Sequence, residues 1–73
     1  MDLERAKQRI LELLDANDGY LTAAIADADG VLARDQAMAS AAARALATES
    51  GITTGTETDA REWFPYSFMR RTT

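Results

Sequence analysis

The sequence predicts an α+β fold, with three helices followed by a C-terminal β-hairpin in a single domain spanning residues 1–73. Three observations predict it. Apolar residues recur at helical spacing near the N-terminus, an alanine-rich run fills the middle, and after Gly51 the composition turns β-branched and aromatic.

The elements follow in chain order. In residues 2–17, Leu3, Ala6, Ile10, Leu13 and Leu14 fall on one helical face. Asp2 suits the N-cap and Gly19, in NDG (17–19), stops the helix. Tyr20 and Leu21 form a short extended step. Thr22 can cap a second helix, TAAIADA, with Ile25 and Ala28 turned inward. DADG (27–30) ends it, Gly30 being free to take positive φ, and Val31 and Leu32 plug the turn. The third helix starts at Ala33 or Asp35, runs to about Glu49 and is stopped by Gly51. ITTGTET (52–58) and WFPYSFM (63–69) then read as two strands around the turn DARE (59–62). On the second strand Phe64, Tyr66 and Phe68 share the face that suits a core, and Trp63, Pro65, Ser67 and Met69 share the other. Pro65 lacks an N–H and belongs at an edge.

Composition narrows the chemistry. The chain has no cysteine and no histidine. Disulfides, thiolate metal sites, zinc and histidine acid–base catalysis are thereby excluded. Large apolar residues must carry the fold: Leu3, Ile10, Leu13, Leu14, Leu21, Ile25, Val31, Met38, Leu46, Ile52 and the C-terminal aromatics. A core this small is often supplemented by dimerisation or by docking on a partner. MDLERAKQR alternates both signs of charge with no apolar run after it, and no stretch is long enough to span a bilayer, so a cytoplasmic protein without membrane contact is expected.

The net charge is −4, and the surplus lies entirely in the first half. Residues 2–35 carry Asp2, Glu4, Glu12, Asp15, Asp18, Asp27, Asp29 and Asp35 against Arg5, Lys7, Arg9 and Arg34. Residues 36–73 balance Glu49, Glu57, Asp59 and Glu62 with Arg44, Arg61, Arg70 and Arg71. An acidic surplus opposes non-specific DNA binding, which draws on neutralised phosphates.

The order helix, short strand, helix, turn, helix, hairpin resembles the winged helix–turn–helix superfamily. RILELLDANDGYLT (9–22), DGV (29–31), RALATESGI (44–52) and ITTGTETDAREWFPYSF (52–68) carry the likeness. It departs from the usual pattern at Leu46, one residue further from Gly51, and at Leu32 and Ala33, where a Ser or Thr often opens the third helix. The resemblance implies a non-enzymatic, dimeric DNA-binding regulator whose third helix enters the major groove. About 100° of rotation per residue puts Met38, Ala42, Ala45 and Leu46 on the inner side. Ala33, Gln36, Ala37, Ser40, Ala43, Arg44 and Ala47 then face outward. Gln36 could pair with adenine, and Arg44 with guanine or a phosphate.

Seven of the fourteen residues in AMASAAARALATES (37–50) are alanine. Alanine favours helix, and it also lets a second surface approach closely. The run therefore suits contact with protein as well as with DNA, and Ala43 would lie in such a contact. Trp63 is the side chain of the hairpin best suited to an interface hot spot, or else it covers the rim of the core. Arg61 at the hairpin tip, with Arg70 and Arg71 after it, are candidates for phosphate contact or are simply solvated.

A small acidic domain without Cys or His is also similar to phage-encoded host-takeover proteins, the anti-CRISPR class among them. That resemblance implies an inhibitor or adaptor occupying the nucleic-acid-binding surface of a target protein. Asp15, Asp18, Asp27 and Asp29 would then stand in for phosphates, or they form an ordinary solvated face.

No catalytic or cofactor constellation is legible. With Gly19 or Gly30 at the sixth position of a calcium loop, the first position falls on Leu14 or Ile25, which cannot ligate. Ser40, Ser50 and Ser67 have no histidine to activate them, and no glycine-rich phosphate loop is present. No enzyme, metal or cofactor is expected.

Overall fold

A computed structural model describes residues 1–56 and 63–72. Within them the chain runs α1 (Leu3–Ala16), β1 (Tyr20–Thr22), α2 (Ala23–Ala28), α3 (Gly30–Ala33), α4 (Gln36–Ala47), β2 (Ile52–Thr54) and β3 (Phe68–Arg71). The α+β class is as expected, but the described residues hold four helices where three were expected.

Local chemistry explains most boundaries. The Asp2 carboxylate accepts from the Arg5 amide at 2.7 Å and opens α1. Gly19 (φ 78°) and Gly51 (φ 88°) hold the left-handed conformations that end α1 and turn the chain out of α4. Thr22 caps α2 through the Ile25 amide at 3.2 Å.

The stretch 29–36 departs from expectation. Gly30 is not a positive-φ stop; it is the first residue of α3, which Asp29 caps through the Leu32 amide at 3.1 Å. Asp35 then caps α4 through the Met38 amide at 3.3 Å. Asp35 thus does the work of the Ser or Thr whose absence was noted, and α4 ends at Ala47 rather than Glu49.

The three strands form one antiparallel sheet in the order β1-β3-β2. Leu21 and Thr54 both pair with Met69, while Tyr20 and Thr53 pair with Arg70. Met69 and Leu21, both fully buried, face the helices. Phe68 and Arg70 alternate to the other side, where the Phe68 ring stacks on Tyr20 at 5.4 Å.

This register corrects the expected second strand. It begins at Phe68, not Trp63, and it is Met69 rather than Phe68 that enters the core. Phe64 is buried from the segment before the strand, and Pro65, also buried there, needs no sheet edge. The hairpin ladder extends one step past the strand ends, with the Gly55 amide donating to the Phe68 carbonyl and the Ser67 amide to that of Thr56. The turn assigned to 59–62, with Arg61, lies outside the described residues.

Gly55 makes room for the outward Phe68 ring. A Cβ at Gly55 would stand 2.5 Å from Phe68 Cδ1 and 2.6 Å from Cε1, so the ring lies directly over the glycine. Gly55→Ala should force the Phe68 ring off its Tyr20 stack and cost about 1–3 kcal/mol. A denaturant midpoint, with tyrosine fluorescence reporting the lost stack, measures this.

Ile10 and Leu14 of α1, Leu32 of α3, Leu46 of α4 and Phe64 complete the core with Leu21 and Met69. The longest helices, α1 and α4, make the most extensive contact. Two expected core residues lie outside it: Leu3 and Val31 are each more than a third exposed. On α2 it is Ala26 that is buried, with Ile25 half-buried and Ala28 exposed.

Candidate nucleic-acid interface

The exposed face of α4 is the helical surface that the sequence marked for binding, and Arg44 on it also has an interaction within the chain. Gln36, Ala37, Ala41, Arg44 and Thr48 are exposed along it, with Ser40 and Ala47 half-buried at its margins. The buried face consists of Ala39, Ala42, Ala43 and Leu46. Relative to the expected winding the helix is turned by about 65°. Ala43 is thereby a core residue with no exposure, not a contact residue. Ala41, missed on the sequence, takes its place near the centre of the outer face. Both faces of the helix are mostly alanine, so the sequence carries little signal for its rotation.

The face is smooth in the middle and polar at both ends. Gln36 stands in its first turn and Arg44 in its last, where the guanidinium also suits the negative end of the helix dipole. The Thr48 hydroxyl donates to the Ala45 carbonyl at 2.8 Å and closes the helix end.

The other candidate residues are dispersed. Arg70 is exposed on the outer side of the sheet. Arg71 is tied down, its Nε donating to Asp15 Oδ1 at 2.9 Å. The Trp63 indole N–H donates to Asp27 Oδ1 at 2.7 Å, and the ring meets Phe64 edge-on at 5.8 Å. Trp63 is thus half-buried on the rim of the core, joining the hairpin to the end of α2.

Those same bonds occupy the aspartates considered as phosphate mimics. Asp15 is held by Arg71, and Asp27 by Trp63. Asp29 has the tightest set: Arg9 Nη2 donates to Oδ1 at 2.6 Å and Nε to Oδ2 at 3.2 Å, while Oδ2 also caps α3. The Arg9 hydrogen bond holds the Asp29 carboxyl below the usual carboxylate range, against the opposing effect of burial, and Asp29 in turn raises the Arg9 guanidinium. Asp18 is exposed in a left-handed turn conformation (φ 57°). A contiguous face of four available carboxylates does not form.

Among the described residues no cluster of three or more Asp, Glu, His or Cys side chains could hold a metal ion, and no helix is long and apolar enough to cross a membrane. Comparison with protein families, curated proteins and solved structures finds no match to this chain.

Proposed function

We propose that the chain is a winged-helix DNA-binding module of the transcriptional-regulator type, non-enzymatic and acting as a dimer, with α4 as its reading helix. The observation that carries this is topological: a capped helix with an open outer face precedes a hairpin whose second strand forms the centre of a β1-β3-β2 sheet. Fold alone does not fix function, so the face itself must supply the contacts. Gln36 and Arg44 have the reach for base edges or phosphates, and the alanines between them let the helix backbone come close to the groove wall. A few contacts per half-site suffice when two copies bind together.

An acidic inhibitor that blocks a nucleic-acid-binding protein has less to support it. Three of its four mimic aspartates, Asp15, Asp27 and Asp29, are spent on bonds within the chain.

The test is fluorescence anisotropy with mixed-sequence duplex DNA, starting at about 50 mM salt. Binding should weaken steeply as salt rises. Arg44→Ala should lower affinity about tenfold, and should reduce the salt slope by about one if Arg44 meets a phosphate. Absence of binding at low salt would sink the proposal.

A further inference from the structure

The exposed residues Arg5, Val31 and Arg34 meet where α3 lies against the first half of α1. Val31 is 39% exposed, although its neighbour Leu32 is fully buried. Two adjoining hollows share Arg5 and Val31 in their walls: one of about 200 Å³ reaching toward Gln8 and Arg9, the other of about 400 Å³ reaching toward Met1 and Arg34. Met1, also exposed, lines the larger hollow with Val31, so that hollow has an apolar floor between charged walls.

The charges around that floor are unequal. Arg9 is neutralised by Asp29 and Glu12. The Asp35 carboxylate at the far end is engaged as the cap of α4. Among the described residues, the guanidiniums of Arg5 and Arg34 have no carboxylate partner. In a chain of net charge −4, two uncompensated guanidiniums stand on one wall system around an exposed valine.

We propose that this groove docks an acidic segment of a partner protein. One branched apolar side chain sits against Val31 and Met1, and flanking carboxylates take Arg5 and Arg34. Charge complementarity selects the occupant: guanidinium forks match carboxylates, and the apolar floor gives an anchor that a purely charged strand could not use. A nucleic-acid backbone fits less well, because its phosphates gain nothing from the exposed valine. The groove uses neither Gln36 nor Arg44, so the proposal does not depend on how α4 is used.

The probe is a short peptide of alternating glutamate and leucine, titrated into the isotope-labelled full chain with amide chemical shifts as the readout. Saturable shifts centred on Arg5, Gln8, Val31 and Arg34 are expected. The double variant R5E/R34E should abolish them, and Val31→Ser should weaken binding at least fivefold. All three positions are exposed, so the variants should keep the dispersed spectrum of the parent chain. Polyglutamate should bind at least fivefold more weakly than the alternating peptide. The proposal is overturned by any of three results: no saturable shifts, equal binding of polyglutamate, or the same shifts produced more readily by duplex DNA. Concentration-dependent shifts at Val31 without peptide would assign the groove to a second copy and overturn it as well.

Discussion

Asp29→Ala should destabilise the domain by about 2–3 kcal/mol, lowering the melting temperature by about 10–20 °C. The size follows from three roles on one carboxylate. It caps α3 through the Leu32 amide, a contribution of about 1 kcal/mol. It accepts two hydrogen bonds from Arg9, which bind the α2–α3 corner to α1 across twenty residues of sequence. Charge-assisted bonds of this kind are worth about 1.5–3 kcal/mol, discounted here because Arg9 is about a third exposed while Asp29 is nearly covered. Among the described residues, removing Asp29 also leaves the Arg9 guanidinium with only Glu12 at 3.4 Å. A domain of this length has roughly 4–11 kcal/mol in hand, so the loss is large.

Asp29→Asn separates the charge from the cap, since asparagine caps a helix about as well. The carboxyl of Asp29 ionises more readily in the folded chain than at its ordinary value of 3.8. Its contribution is therefore complete above that value and is lost as pH falls through the lower, folded one. The stability difference between the parent chain and Asp29→Asn should be constant from about pH 5 to pH 8 and shrink toward zero below about pH 3.8. Arg9, whose guanidinium is raised, holds its contribution below the ordinary guanidinium range and adds no dependence in that window. Urea titrations of both proteins across the acid range measure the difference. A gap that persists unchanged at low pH would remove the ion pair as its cause.

Asp29 also shows where sequence reading stops. Asp2, Thr22, Gly19 and Gly51 are legible because a cap or a chain reversal involves only three or four neighbouring residues. The bond between Asp29 and Arg9 is a tertiary event and leaves no local trace. The four-residue α3 is equally silent, since GVLA is too short for a period and depends on that same aspartate. In the hairpin, the aromatics Phe64, Tyr66 and Phe68 marked their shared face as the core face, whereas the strand turns Met69 inward. Burial of Met69 leaves the Phe68 ring outside, and the missing side chain of Gly55 gives that ring its room. Of the candidate site, Gln36, Ser40 and Arg44 were found and Ala41 was not. Where both faces of a helix are mostly alanine, hydrophobic contrast is too small to set the rotation.

That rotation can be tested by two glutamates placed two residues apart on α4. Ala43→Glu puts a carboxylate where the structure leaves no solvent exposure, among Ala39, Ala42 and Leu46. Burying an unpartnered charge costs several kcal/mol, and the added volume costs about 1–3 kcal/mol more in a packed core. The sum approaches the whole stability of a domain this size, so this variant should be unfolded or nearly so by circular dichroism. Ala41→Glu stands on the exposed face and should change stability by no more than about 0.5 kcal/mol. The sequence-derived winding, with Ala43 outward, predicts that Ala43→Glu is tolerated. A folded Ala43→Glu would restore it and move the reading face with it. Ala41→Glu then carries the functional half of the experiment. Folded as the parent chain is, it places a negative charge near the centre of the exposed face, three residues before Arg44, where a groove wall must approach. Its affinity for duplex DNA should fall at least tenfold at about 50 mM salt. If it binds DNA as the parent does, the open face of α4 is not the surface that meets the nucleic acid.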